Sequence, residues 1–291
     1  MTDKDLLGSI SAITAAFLMG TLGLFVRNVS SSAQIITFSR LFLGLIFLTV
    51  LLFFSGRYKD IKKKPSLTII LSGIFQSLSI LFYIEAIKNT TLSTAVILLY
   101  LGPIIGTGLG YFFLNERVRP LNIALILIAF SGTVLLLKFN FEFKSINIGY
   151  VLGISSAILY SFYFIANRKI DKDTPLISRS FFQFIFGTLA ILPFLIIGKS
   201  GFVLHDIPYL ISIGFIHGFL ALSLLILALK NLEIVKCGTL LYIEPITATI
   251  LGFIFFSEKL SMLQLIGGIM ILGSGLIQIG IKPSVVIEKE H

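Results

Sequence analysis

Residues 240–247 read LLYIEPIT and lie inside an apolar run that extends over 235–256. A carboxyl group at the centre of such a helix in lipid costs about 2.5–3.5 kcal/mol on insertion scales, so Glu244 must face protein and find a partner or a proton. Two chemistries suit it: taking up a proton, or binding a cationic group such as a substrate amine. A third use is purely structural, a carboxyl bridging the backbone carbonyls that Pro245 leaves free. His217, near the middle of the run at 208–229, is the one ionisable side chain expected at the same depth; no Lys or Arg is expected there. Two polar stripes accompany them. Ser72, Gln76, Ser79 and Tyr83 are spaced 4, 3, 4, and so are Ser156, Tyr160, Tyr163 and Asn167. That spacing puts each set on one helix face, which turns from lipid toward protein or a water-filled cavity. The serines suit hydrogen bonds between helices; Gln76 and the tyrosines are bulkier and suit a cavity wall.

The elements that hold these residues follow from composition. Of 291 residues, 56% are hydrophobic and 13% charged, with a mean hydropathy of +1.00. Soluble domains carry roughly 25% charged residues, so this pattern reads as a multi-pass membrane protein. Ten runs are long enough to span a bilayer: 6–26, 35–54, 67–87, 92–114, 121–137, 148–167, 177–197, 208–229, 235–256 and 260–281. They are too continuous for barrel strands, so an all-α bundle of ten transmembrane helices is predicted. The longest predicted loop, 55–66, leaves no room for a soluble domain. The first run is full length and lacks the basic start of a signal peptide, so it is kept as the first helix.

The net charge of +9 is placed as topology rather than as a nucleic-acid surface. With the N-terminus cytoplasmic, fifteen Lys and Arg fall in inside segments and six in outside ones, Arg40 and Arg179 lying just within runs. This follows the positive-inside rule and places both termini in the cytoplasm. Tyr58, Tyr111, Tyr150 and Tyr209 near run ends serve as interface anchors, and Arg40 and Arg179 are expected to snorkel outward. Cys237 is the only cysteine, so no internal disulfide is possible.

The chain repeats itself. AIKNTTLSTAVILLYLGPIIGTGLGYFFLNERVRPL at 86–121 aligns without a gap on ALKNLEIVKCGTLLYIEPITATILGFIFFSEKLSML at 228–263. The matches include Lys-Asn, Leu-Leu-Tyr, Pro103 with Pro245, Gly110 with Gly252 and Glu116 with Glu258. The SRLF at 39–42 echoes SRSF at 178–181, and Arg27 echoes Arg168. Two units, residues 6–138 and 148–281, each hold five helices. An odd number forces the second unit to enter the membrane inverted, the design of many secondary transporters, whose substrate site lies at the repeat interface near the midplane. Tyr100/Tyr242 and the hinge candidates Pro103/Pro245 are symmetric pairs of this repeat. Gly102, Gly106 and Gly110 form a stripe of small residues for close helix approach; its counterpart is Glu244, Ala248 and Gly252. Where the third run has Ser72, Gln76 and Ser79, the eighth has Gly214, Gly218 and Ala221, so the cavity should have one polar and one apolar wall. Glu116 beside Arg117 and Glu258 beside Lys259 read as local interface pairs.

The stretch LKNLEIVKCGTLLYIEPITATILGFIFFSEKLSMLQLIGGIMILGSGL resembles the end of an EamA-type domain of the drug/metabolite transporter superfamily, and 86–137 resembles it again. The first copy departs where NER is followed by Val-Arg-Pro. The resemblance implies a ten-helix carrier of small metabolites, often an exporter, with amino-acid exporters among its members. The expected translocation path is Gln76, Tyr83, Tyr100, Tyr160, Tyr163, His217, Tyr242 and Glu244. The expected partners are a small-molecule substrate and the lipid bilayer of the cytoplasmic membrane. A proton is the candidate coupling ion, and a monomer or weak dimer the expected state, with no cofactor, metal or nucleic acid. An enzyme is disfavoured: no Asp falls in any run, there is no HExxH, and Ser274 with His217 is a nominal pair among packing glycines. A channel-like facilitator is the alternative, though no charged ring or filter loop is visible.

Overall fold

The computed structural model describes residues 3–26, 28–57, 61, 64–114, 116, 118–138, 148–197, 201–256 and 261–281. These fold as helices with no strand among them: α1 (Asp3–Gly20), α2 (Leu22–Val26), α3 (Ala33–Ser55), α4 (Leu67–Asn89), α5 (Leu92–Leu99), α6 (Leu101–Leu114), α7 (Pro120–Leu136), α8 (Ile148–Arg168), α9 (Leu176–Ile197), α10 (Ile207–Ile213), α11 (Leu222–Asn231), α12 (Ile234–Leu241), α13 (Ile243–Phe256) and α14 (Met262–Gly280). A π-helical stretch, Gly214–Ala221, joins α10 to α11. Among the described residues, nine continuous segments are long and apolar enough to cross a membrane; the tenth apolar run forms α7, which is shorter at 17 residues.

Local chemistry sets the ends. Ser32, Ser66, Thr91 and Ser261 precede α3, α4, α5 and α14, and each side chain accepts a first-turn amide, satisfying a donor the helix cannot. Ser261 and Gln264 complete a capping box. Pro120 opens α7, where its missing N–H costs nothing.

The apolar residues divide between an interior and an outward belt. Ala12, Ala15, Ala16, Leu41, Phe164, Phe184 and Leu229 are fully buried, whereas Phe53, Phe54, Phe112, Ile196 and Ile197 are largely exposed. A water-soluble surface would not carry so continuous an apolar belt; hydrocarbon solvates it. The main contacts cross between the halves: α4 lies along α8 and α9, α3 along α9 and the π-helical stretch, α6 along α8, and α1 along α11, α12 and α13. The Gly102–Gly106–Gly110 stripe faces α8 and α12. A Cβ on Gly102 would meet Tyr160 at 3.0 Å, one on Gly106 Phe164 at 3.3 Å, and one on Gly110 Ile234 at 3.2 Å.

Two expected continuous helices are broken. The fourth and ninth runs are interrupted at Tyr100 and Tyr242, three residues before Pro103 and Pro245. Each proline lacks the N–H that its i−4 carbonyl, Leu99 or Leu241, would accept, and its ring crowds that carbonyl. The two breaks meet. The Tyr100 and Tyr242 rings lie 5.0 Å apart, centroid to centroid. The Tyr100 hydroxyl donates to the Leu241 carbonyl at 3.3 Å, and the Tyr242 hydroxyl donates to the Tyr100 carbonyl at 2.7 Å. Residues equivalent in the repeat thus touch each other, as they must on a two-fold axis. Tyr100 thus satisfies the carbonyl that Pro245 frees, while Tyr242 bonds the carbonyl at the other helix's break.

Lys236 reaches Asp5 at 2.9 Å and the Ile279 carbonyl at 3.1 Å, which puts the first and last described helices at one end of the bundle. At the opposite end, Asp206 accepts the Ser30 and Ser31 amides and the Ser31 hydroxyl at 3.0, 2.7 and 2.6 Å.

Candidate functional site

A small central cavity of about 50 Å³ is lined by residues of both halves. Its polar lining is Arg40 from α3, Gln76, Ser79 and Tyr83 from α4, Tyr160 from α8 and Glu244 from α13. Its apolar lining includes Met19, Leu222 and Leu225. One wall is polar and the opposite wall, from α1 and α11, is aliphatic.

Four of the expected path residues therefore come together: Gln76, Tyr83, Tyr160 and Glu244. The other four sit elsewhere. Tyr163 is buried directly behind the wall, stacked on Tyr160 at 6.0 Å. Tyr100 and Tyr242 form the pair at the helix breaks, and Tyr100 adjoins the Glu244 carboxyl. His217 is fully buried in the π-helical stretch, outside the cavity lining; its Nε2 meets the Thr21 hydroxyl at 3.0 Å and its ring takes Phe25 edge-on.

Arg40 corrects two expectations. It does not snorkel outward, and Glu244 does have a cation at its depth. Arg40 is 6% exposed, and its Nε donates to the His217 carbonyl at 3.2 Å. The reason is geometric. α3 starts at Ala33, two residues earlier than the hydropathy suggests, so Arg40 lies about 10 Å along its helix at 1.5 Å per residue. Glu244 lies about 15 Å from the start of α12, which begins at the other end of the bundle. In a core about 30 Å thick the two Cα levels differ by only about 5 Å, within reach of a long arginine. The echo residue Arg179 behaves differently. It is 1% exposed and donates to the carbonyls of Ile170, Asp171 and Thr174, tying down the turn after α8.

What lets Arg40 approach is glycine. A Cβ on Gly218 would collide with the Arg40 carbonyl oxygen, and one on Gly44 would lie 3.0 Å from the Gly218 carbonyl carbon. The small residues opposite the polar stripe thus admit the backbone of α3 rather than forming an apolar cavity wall, which α11 supplies instead. π-Helical turns recur at functional positions, where they re-aim a few side chains.

Within the polar stripes the roles divide. Ser79 and Ser156 each donate to the other's carbonyl, at 2.9 and 2.8 Å, and so join α4 to α8. Ser72 bonds within its own helix, and Asn167 accepts from Gln183 at 2.9 Å. Gln76 is different. Both polar atoms of its amide are buried without a hydrogen-bond partner, as is the Tyr163 hydroxyl beside it.

The end carrying Asp5 and Lys236 holds an open polar pocket of about 520 Å³, lined by Asp5, Arg168, Lys230 and Lys236 among others. Phe164, Leu229 and Ile234 are fully buried. Glu116 accepts Arg168 Nε at 2.8 Å and the Ile234 amide at 3.2 Å, joining the ends of α6 and α8 to the start of α12. Glu116 therefore pairs across the repeats. The expected local pair with Arg117 falls outside the described residues, as do Arg27, Tyr58 and the Glu258–Lys259 pair.

Two sequence repeats whose equivalent tyrosines meet beside a central cavity define a membrane transport protein of the repeat type. The chain matches the EamA-like transporter family twice, over residues 6–138 and 147–279, and belongs to that family. It is 31% identical to an uncharacterized transporter of Archaeoglobus fulgidus over 93% of this chain and 95% of the relative. It is 25% identical to the threonine/homoserine exporter RhtA of Escherichia coli over 79% of this chain and 76% of that protein. A solved crystal structure superposes with a TM-score of 0.81 over 93% of this chain and 96% of its own, at 22% identity, and so shares the fold.

Proposed function

We propose that this protein is a secondary transporter of the cytoplasmic membrane that moves a small zwitterionic metabolite, an amino acid or a close analogue, by alternating access. The observation that carries this reading is the single cavity holding Arg40 and Glu244. One fixed cation and one fixed anion complement a solute bearing a carboxylate and an ammonium, and leave no net charge to be dragged across the bilayer. The aliphatic wall of Met19, Leu222 and Leu225 accommodates the rest of such a solute. The exporter name of the relative from Escherichia coli supports the outward direction.

The breaks before Pro103 and Pro245 are the hinges, because each helix there has already given up its continuous hydrogen-bond ladder. In the conformation described, the Asp5–Lys236 and Glu116–Arg168 pairs tie helices together at the end where α1 starts and α14 finishes. Opening that end breaks both pairs while the tyrosine pair stays as the pivot. Glu244 is the group on which any proton coupling turns, being the only carboxyl lining the cavity.

Reconstituted in proteoliposomes preloaded with an unlabelled amino acid, the protein is expected to accumulate the labelled one transiently by counterflow. Equilibration without trans-acceleration would instead establish the channel-like alternative. The orientation is tested separately. We place ten crossings with both ends in the cytoplasm, as the distribution of fifteen inside and six outside basic residues requires. Cysteines placed at the two termini of a Cys237→Ala background should both resist impermeant thiol reagents in intact cells; labelling of either overturns that topology.

A further inference from the structure

The amide of Gln76 is an unexplained expense in this cavity. Gln76 is 2% exposed, lines the cavity, and leaves both Nε2 and Oε1 without a partner. The hydroxyl of Tyr163, fully buried behind the wall, lies beside that amide and has no other partner. Buried polar atoms are nearly always hydrogen-bonded, and a lining amide that is not points to an occupant that supplies the missing bonds. The other polar side chains of the wall do not offer this. Ser79 is committed to Ser156, and Arg40 and Glu244 are the ionisable pair.

We infer that Gln76, positioned from behind by Tyr163, forms a specificity subsite for an uncharged polar side chain, a hydroxyl or a carboxamide, on the zwitterionic solute. The inference rests on the function proposed above and adds to it which amino acids are taken. A hydroxyl donates one bond and accepts another, and a carboxamide does both on two atoms. Either can satisfy the amide that an alkyl side chain of the same shape would leave buried and unpaired. A charged side chain is not accommodated, because the two charges of the cavity are already matched by the solute's ammonium and carboxylate. Discrimination of this kind is strong, since the analogue lacking the polar group strands the site's own donors and acceptors.

Two isosteric pairs test it in self-exchange by the reconstituted protein: threonine against valine, and asparagine against leucine. The polar member of each pair should be exchanged at least tenfold more efficiently. Gln76→Leu should bring both ratios toward one, chiefly by slowing threonine and asparagine exchange, with the melting temperature in detergent showing separately that the variant is folded. Tyr163→Phe, the milder change, should lower the ratios severalfold and decides the matter should Gln76→Leu fail to assemble. Ratios near one in the unmodified protein, or ratios unchanged in Tyr163→Phe and Gln76→Leu, would mean that the amide is served by water and would overturn the inference while leaving the proposed function intact. Failure of all four amino acids to exchange would instead sink the function itself.

Discussion

Glu244→Gln and Arg40→Gln each reduce amino-acid exchange by at least 100-fold, and the double variant does not recover it. The size of the loss follows from the setting. Both residues line one cavity inside an apolar bundle, where removing one partner of a buried charge pair costs about 3–5 kcal/mol, chiefly because the other charge is left uncompensated. At 1.4 kcal/mol per tenfold, about 3 kcal/mol is two orders of magnitude. In each single variant the bound zwitterion meets one charge instead of two, and the remaining residue is alone in low dielectric. Stability and transport then separate the two explanations. If the charges serve only one another, neutralising both restores a balanced interior, and the double variant regains thermal stability and transport together. If they hold the two ends of a solute, the double variant regains stability but stays inactive. Measuring the melting temperature in detergent beside counterflow in liposomes, for the two singles and the double, completes the cycle. A double variant that transports at the unmodified rate would remove these residues from solute binding.

Much of the fold is legible in the sequence because bilayer insertion imposes one strong rule, that every backbone polar group pairs within its own helix. The apolar runs, the serine and threonine caps, and the repeated Leu-Leu-Tyr with its proline three residues beyond are all local signals. The site is less legible, because it depends on how far each helix is slid and rotated against its neighbours. The position of Arg40 shows the difficulty. Its distance from the nearest run edge suggested the interface, yet a two-residue extension of α3 and the glycine crossing with the π-helical stretch carry it to the cavity. A signal for this was present: Gly44 on one run and Gly214 and Gly218 on another mark a close backbone approach. The sequence alone does not say which helix fills that approach. The tyrosines show the converse. Their equivalence in the repeat is visible in LLY at 98–100 and 240–242, and equivalent residues can meet only on the symmetry axis. Read that way, Tyr100 and Tyr242 belong to the seam between the halves rather than to the cavity wall. The Tyr100 hydroxyl then has a purpose the sequence could have suggested, namely the Leu241 carbonyl that Pro245 sets free.

Gly218→Ala should lower the melting temperature sharply and abolish transport, whereas Gly268→Ala and Gly273→Ala on α14 should do neither. All three are glycines in membrane helices, and composition gives no reason to separate them. Packing does. A Cβ on Gly218 would run into the Arg40 carbonyl oxygen, a backbone atom that cannot rotate away, with the Arg40 carbonyl carbon at 3.0 Å and the Gly44 Cα at 3.4 Å behind it. The only relief is for α3 and the π-helical stretch to separate, which opens their contact and forfeits the Nε bond from Arg40 to the His217 carbonyl. Overpacking of this kind typically costs about 1–3 kcal/mol, and more where backbone is the obstacle. Gly268 and Gly273 have nothing within 4 Å of an added Cβ. There alanine fills only space toward lipid and gains up to about 1 kcal/mol of helix propensity. The link to function is through Arg40, since a shift of α3 that relieves the clash also withdraws the guanidinium from Glu244's cavity. Gly218→Ala protein that still folds should therefore behave like Arg40→Gln, losing exchange of every zwitterion alike rather than changing the preference between threonine and valine. A Gly218→Ala variant with unmodified stability and exchange would show that α3 does not make this crossing.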